Sequence, residues 1–174
     1  MGKNQKLAWL LSLIELLLVM ISVGGITRLT RSGLSITEWK PITGILPPLS
    51  EEAWQTEFDL YKKSPEFNQT NIHFQLNDYK NIYWWEYLHR LLGRLIFFVA
   101  LALSYVFWRK KEVSTTYALF LPFLIVMQGL VGWLMVKTGL NQRPSVSHYM
   151  LSVHFFLALT TMVLVYYPIA KMKS

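Results

Sequence analysis

The stretch YWWEYLHRLLGRLIFFVALALSYVFW (residues 83–108) decides the fold, because it is long and apolar enough to cross a lipid bilayer. A spanning helix needs roughly 20 mostly apolar residues. This stretch nevertheless carries an acid, an imidazole and two guanidiniums near one end, at Glu86, His89, Arg90 and Arg94. A charged side chain at mid-depth in a bilayer costs about 2.5–3.5 kcal/mol, so each such group needs a physical reason.

Three further segments have the length and apolarity of a membrane span. The chain has 174 residues, of which 53% are hydrophobic and 16% charged, whereas about a quarter of the residues are charged in an ordinary soluble domain. The composition predicts an all-α membrane protein, a four-transmembrane-helix bundle that forms a single domain over residues 1–174. The predicted spans are about 7–26, 83–108, 117–136 and 149–169.

Cysteine content and charge exclude several classes of protein. The chain contains no cysteine, so disulfides, thiolate metal sites and cysteine nucleophiles are excluded. Its formal net charge is +7, but the basic residues lie at the ends of the predicted helices rather than along one face. We therefore expect the lipid bilayer, and no nucleic acid, as a partner.

Basic residues in the short flanking segments predict the orientation. Lys3, Lys6, residues 109–111 and the terminal KMKS (171–174) are basic, and the positive-inside rule places such segments in the cytoplasm. Both termini are then cytoplasmic, and residues 27–82 form a long external loop. A signal peptide is the alternative for the first span, but that span lacks an A-x-A-like cleavage site. With no transit peptide before it, we expect a multi-pass protein of a bacterial plasma (inner) membrane.

The long loop is expected to be structured. Ser50 precedes two glutamates, which is typical of a helix start with acids in its first turn. Trp54, Phe58 and Tyr61 then recur at helical spacing. The pattern predicts a short amphipathic helix that lies on the bundle or on the membrane surface.

The charged end of the second span has two interpretations. Arg90 and Arg94 could extend toward the interface, and Glu86 could pair with Arg90 one turn away. This interpretation explains Arg94 less well, since that residue lies about three turns into the span, and it does not explain His89. On a helix, Glu86, His89, Arg90 and Gly93 share one face, and Gly93 leaves space one turn below the histidine.

The fourth span carries a matching histidine. His154 lies above a small residue, Ala158, and spans two and four run in the same direction. His89 and His154 lie roughly six and seven residues past the outer ends of their spans, which is a depth of about 9–11 Å. Two imidazoles at matched depth are the ligand set of a bis-histidine haem site toward the outer face. A hydrogen-bonded core histidine is the alternative, and zinc is disfavoured because no third or fourth ligand lies nearby.

Three other ionisable residues fit ordinary positions. His148, at the outer mouth of span four, is expected at the membrane interface, and His73 is expected on the surface. Glu15, midway along span one, is expected to face the interior of the bundle.

Four stretches in chain order resemble haem A synthase, of the cysteine-free type found in mitochondria and many bacteria. They are GGITRLTRSGLSITEWKPITGILPP (24–48), EYLHRLLGR (86–94), GLVGWLMVKTGL (129–140) and VSHYMLSVHFFLAL (146–159). The resemblance covers nearly the whole chain but only the N-terminal four-helix half of the family's usual two-half architecture.

The resemblance implies a membrane oxidoreductase that oxidises a methyl group of haem O to the formyl group of haem A for terminal oxidase biogenesis. It implies that His89 and His154 bind the haem iron and that Glu86 is the functionally important glutamate. Beside it, we expect Arg90, Arg94 and Arg28 to hold the propionates, as a guanidinium suits a carboxylate. Haem O is the substrate, and haem b is a further candidate cofactor.

The missing second half leaves alternatives open. Either a homodimer or a separate protein that supplies the other half would complete the architecture, or the sequence is a fragment of a longer chain. The electron donor is not specified. The same pocket would also serve a non-catalytic haem-binding or assembly protein, or a b-type electron-transfer cytochrome. Glu86 beside His89 favours the enzyme, because neither alternative requires an acid there.

Overall fold

Six α-helices and one short 3-10 helix form the chain in a computed structural model that describes residues 2–142 and 144–173, with side chains for 2–141 and 144–170. Within these residues there is no strand, so the all-α prediction is confirmed. The side chains of the terminal KMKS, used above to predict orientation, lie outside the described ones. The helices are α1 Lys3–Leu29, α2 Glu51–Tyr61, α3 Pro65–Gln69, α4 Leu76–Arg109, α5 Thr115–Gln142 and α6 His148–Lys173, with the 3-10 helix Thr43–Ile45 before α2.

Four of these helices are long and apolar enough to cross a membrane, as predicted: α1, α4, α5 and α6. Helix α4 has 34 residues and begins at Leu76 rather than near Tyr83, where hydropathy placed the start of the span. The polar extension forms because the Asp78 carboxylate accepts a hydrogen bond from the backbone N–H of Gln75 at 2.9 Å. This bond satisfies a donor that the helix end would otherwise leave unpaired.

The first compact unit comprises residues 2–22, 92–131 and 152–173. Its core is almost entirely aliphatic, and the buried members recur at helical spacing, as expected for helices that each turn one stripe inward. An ion pair between Lys6 and Glu112 also lies in this unit. The buried core residues are Leu10, Leu13, Leu17, Ile96, Ala100, Leu103, Phe107, Leu121, Val165 and Ile169.

Glu15 lies on the exposed side of α1, so the prediction that it faces the interior of the bundle is wrong. Leu10, Leu13 and Leu17 form the buried stripe of the helix. At 100° per residue, Glu15 points almost opposite to these leucines.

The second compact unit comprises residues 23–91, 132–142 and 144–151. Ser50 caps α2 by accepting a hydrogen bond from the N–H of Ala53 at 3.2 Å. Trp54, Phe58 and Tyr61 are buried, which confirms the predicted amphipathic helix. They pack on α4, where the ring of Tyr79 stacks on those of Phe58 and Tyr61, both at 5.2 Å between centroids.

The segment between α1 and α2 is held against α4. Ser32 and Ser35 are fully buried, and the hydroxyl of Tyr87 donates to the carbonyl of Ile45 at 2.6 Å. Arg31 has a left-handed backbone (φ 53°), where the chain turns away from the end of α1. These contacts position the loop residues that meet Glu86.

Candidate functional site

His89 is half-buried on α4 and lies against α1 at a glycine. A Cβ atom added to Gly24 would lie 3.2 Å from the Nε2 atom of His89, which is closer than ordinary contact allows. Gly24 therefore makes room for the imidazole. Gly93 lies one turn further along α4, where an added Cβ would lie 3.5 Å from the terminal methyl of Met20, and its predicted role of leaving space for a flat group stays a prediction.

Glu86, one turn before His89, is buried, with 3% of its surface exposed. Its Oε2 atom accepts hydrogen bonds from the Ser35 hydroxyl and from the N–H of Ile36, each at 2.8 Å. Its Oε1 atom accepts two from the Arg90 guanidinium, at 3.1 Å from Nε and 2.6 Å from Nη2. Four donors fill the acceptor sites of this carboxylate, so it joins the loop after α1 to α4.

Arg90 extends the same clamp. Besides binding Glu86, its guanidinium donates to the carbonyls of Ile36 at 2.9 Å and Glu38 at 3.2 Å. Because most of its donors are directed to protein acceptors, Arg90 positions the loop that carries Ser35. The structure places Arg28 on the exposed surface in the last turn of α1 and Arg94 half-buried on α4. The propionate roles expected for the three arginines stay predictions.

His154 belongs to α6, in the first unit. Its Nδ1 atom is buried and has no hydrogen-bond partner among the described residues. Its backbone carbonyl accepts a hydrogen bond from the Gln128 side chain of α5 at 2.9 Å, so two helices fix the backbone that carries the imidazole. A buried imidazole nitrogen without a protein partner is costly, and it is the kind of group that a metal or ligand satisfies.

The donor set fits haem better than a structural metal. Within the described residues, no group of three or more His, Cys, Asp or Glu side chains could hold a metal ion. The Nε2 edge of His89 lies against Gly24, and His154 carries a buried Nδ1 atom without a hydrogen-bond partner among the described residues. Imidazole is a common axial ligand of haem iron. His73 and His148 are both exposed, as expected for surface and interfacial histidines.

A second buried carboxyl, which the sequence analysis missed, lies in the same unit as Glu86. Glu66 is 3% exposed, and its Oε2 atom accepts a hydrogen bond from the hydroxyl of Tyr61 at 3.1 Å. Burial is the main reason that its pKa rises to about 7, and the charge of Glu86 raises it further. No spacing rule marks Glu66, because its burial follows from how α2 and α3 fold onto α4.

Fold and site together describe a helical membrane protein with a histidine–glutamate site on its second span. Residues 7–174 match the family model of COX15-CtaA, the cytochrome oxidase assembly proteins. The chain therefore belongs to the COX15-CtaA family, which confirms the resemblance noted in the sequence. No solved structure matches it significantly.

Several curated relatives are similar over most of this chain. Heme A synthase of Parvibaculum lavamentivorans is 50% identical over 153 residues, covering 86% of this chain and 44% of the relative. Heme A synthase of Neorickettsia sennetsu is 51% identical over 162 residues, covering 91% and 50%. A Heme A synthase–mitochondrial ferredoxin fusion protein of Schizosaccharomyces pombe is 48% identical over 160 residues, covering 86% and 26%. The chain thus spans about half the length of the bacterial relatives.

Proposed function

We propose that this chain is a haem A synthase-like membrane oxidoreductase, which oxidises a methyl group of haem O to the formyl group of haem A for terminal oxidase biogenesis. The observation that carries the proposal is a half-buried imidazole seated on Gly24, with a buried, fully bonded carboxylate three residues before it on α4. The names of the relatives support it, since both bacterial proteins described above are Heme A synthases.

In this proposal, His89 and His154 would hold the haem iron. Bound haem supplies the redox-active iron and the methyl group that is oxidised. The protein would contribute the two imidazoles, of which that of His89 packs against Gly24 and that of His154 has a buried Nδ1 atom without a hydrogen-bond partner among the described residues. Whether haem O alone or also haem b occupies the chain is tested by extracting the haem.

Glu86 is the proposed proton-handling residue. Its Oε1 atom accepts two hydrogen bonds from the Arg90 guanidinium. Its Oε2 atom accepts one from the N–H of Ile36 and one from the Ser35 hydroxyl, and only the hydroxyl can rotate away and exchange its proton. Oε2 is therefore the atom at which a proton can be taken up or released. Ser35 follows as a residue that positions this proton.

The three arginines have different proposed roles. Arg90 fixes the loop through two carbonyls, so we assign it to positioning Glu86 and Ser35. Arg28 and Arg94 are the proposed partners of the haem propionates, because a guanidinium forms paired hydrogen bonds with a carboxylate.

The proposed setting is a bacterial plasma membrane, with both termini in the cytoplasm and the haem site toward the outer face. The basic residues at Lys3, Lys6 and 109–111 support this orientation. A second copy, a complementary chain, or a longer chain of which this sequence is a part would complete the two-half architecture. The fusion of a relative to a mitochondrial ferredoxin supports a ferredoxin-type protein as the electron donor.

The proposal is tested by expressing the chain in a host that makes haem O but lacks its own synthase, followed by haem extraction and mass analysis. We expect haem A or its hydroxymethyl precursor. Unmodified haem that disappears in His89→Ala and His154→Ala would instead support the second candidate, a non-catalytic haem-binding or assembly protein. The saturated hydrogen bonding of Glu86 favours that candidate, because such a carboxylate also serves as a purely structural clamp.

The Glu86→Gln variant separates the two candidates. With Glu86 as the proton-handling group, product formation falls by about 10²-fold or more while haem content stays near that of the native chain. Ser35→Ala is the matched variant, because it keeps the carboxylate and removes only the hydroxyl on Oε2, and we expect a smaller loss. Normal product formation in Glu86→Gln would remove Glu86 from the chemistry.

A further inference from the structure

The first unit contains an apolar groove between α1 and α4 that the proposed haem chemistry does not use. Its volume is about 290 Å³, which is near the lower end of the range for ligand pockets. Its floor includes Leu103 and Phe107, which are 7% and 2% exposed. Ala102, on the same side of α4, contributes only a methyl group to the lining and so leaves space beside the helix. Such a lining suits a hydrocarbon chain.

One end of this groove is polar. Gln5, near the start of α1, and Lys110, directly after the end of α4, both line it. Trp9, one turn further along α1, also lines the groove and is 48% exposed. A tryptophan near the end of a span is typical of the boundary between the hydrocarbon and head-group regions of a bilayer. An apolar floor with a polar end is the lining expected for an amphiphile.

The charge at the polar end of the groove is positive. Residues 109–111 are all basic, and the acid that follows them, Glu112, is paired with Lys6. Among the residues that the structure describes, the Lys110 side chain forms no ion pair and no hydrogen bond. An ammonium group in this position suits an anionic oxygen. The groove is thus complementary to an anion that carries a hydrocarbon chain.

We propose that this groove binds an acidic phospholipid, with an acyl chain over Leu103 and Phe107 and the phosphate at Lys110. Four helices of the chain are long and apolar enough to span a membrane, so phospholipid surrounds the groove. Clusters of Lys and Arg beside a span attract acidic lipids, and basic pockets between spanning helices bind their head groups. The proposal does not rest on the proposed function, because none of these residues belongs to the haem site.

Native mass spectrometry of the purified full chain tests the proposal by titration with phosphatidylglycerol or with phosphatidylcholine of the same acyl composition. We expect one phosphatidylglycerol to bind about fivefold more tightly than phosphatidylcholine, because one basic residue near the head group contributes a factor of that order. Lys110→Gln should abolish this preference. Lys111→Gln is the matched control, because it removes the same charge from a neighbouring residue that does not line the groove, and it should keep most of the preference.

A second pair of variants tests the apolar part of the groove. Ala102→Phe places a ring in the groove and should weaken the binding of phosphatidylglycerol. Val126→Phe adds the same ring at a 52% exposed position of α5 outside the groove and should leave the binding unchanged. Ala102, Lys110, Lys111 and Val126 are all exposed, so we expect each variant to keep the native helix content in circular dichroism.

Three results would overturn the proposal. They are equal affinity of the native chain for the two lipids, equal losses in Lys110→Gln and Lys111→Gln, and undiminished binding in Ala102→Phe. Each would show that lipid is attracted to a basic or apolar surface in general, and that the groove is not a specific site.

Discussion

The first unit and the second unit are stabilised by different kinds of contact. The core of the first is aliphatic, with Leu13, Ala100 and Val165 essentially inaccessible to solvent. The core of the second is aromatic and hydrogen-bonded, with Tyr61 and Tyr79 fully buried beside Glu66 and Glu86. Aliphatic packing tolerates substitutions that conserve volume, whereas a buried polar group requires its particular partner.

This difference bears on which unit can hold polar side chains in a fixed geometry. A histidine and an acid held by loop residues need a rigid polar scaffold, which the second unit supplies through Ser35, Ile36 and Arg90 around Glu86. Functional sites need such supporting hydrogen bonds to keep their geometry. His154 lies in the first unit, on the apolar helix α6.

The largest effect is expected when the charge cluster of the second unit is broken. Glu86→Ala leaves Arg90, whose side chain is 19% exposed, without its counter-ion and removes four hydrogen bonds. We expect a loss of about 3–5 kcal/mol in the free energy of unfolding, measured by SDS titration in mixed micelles. Leu13→Ala, in the first unit, is the comparison and should cost about 2–5 kcal/mol through a cavity.

The two positions, Leu13 and Glu86, should differ in how much stability a conservative replacement retains. Leu13→Met should recover most of the stability, because aliphatic packing depends mainly on volume. Glu86→Gln should recover only part of it, because an amide lacks the charge that binds Arg90. Equal recovery in both units would contradict the contrast drawn between them.

The next effect is a dependence of stability on pH that arises from Glu66 in the second unit. Glu66 has a pKa raised from its ordinary value of 4.5 to about 7, so the folded chain binds its proton more tightly than the unfolded chain. Stability therefore falls as the pH rises from about 4.5 to about 7, by about 3 kcal/mol at most. In Glu66→Gln, the stability measured by thermal unfolding should no longer fall across this pH range. If the stability of Glu66→Gln still falls with pH as it does in the native chain, groups other than Glu66 cause the pH dependence.

The smallest effect concerns the cap of α2. Ser50→Ala removes the hydrogen bond to the N–H of Ala53 and should cost about 1 kcal/mol. Ser50→Asp, which can cap in the same way, should restore the loss when thermal unfolding is compared among the three chains. A full loss in the Ser50→Asp chain would show that capping is not the reason.

Local patterns in the sequence predicted the elements well. Hydropathy placed all four spans, and the spacing of Trp54, Phe58 and Tyr61 after Ser50 predicted α2. These features depend on residues within a few turns of each other. The family also followed from contiguous motifs, which the family match over residues 7–174 confirms.

The contacts that build the site could not be predicted in this way. Ser35 and Glu86 are 51 residues apart in sequence, and Gly24 meets His89 from another helix. Periodicity says which face of a helix a residue occupies but not which distant residue meets it. For the same reason the contact between Gly24 and His89 was not predicted, and Glu66 was overlooked because its burial depends on the packing of α2 and α3.

The most direct test of the account is the haem content and absorption spectrum of the purified chain with single histidine replacements. The account predicts a low-spin bis-imidazole spectrum that is lost in both His89→Ala and His154→Ala. It should persist in His73→Ala and His148→Ala, which alter exposed histidines. A chain that binds no haem, or one that keeps the native spectrum without His89 or His154, would contradict the account.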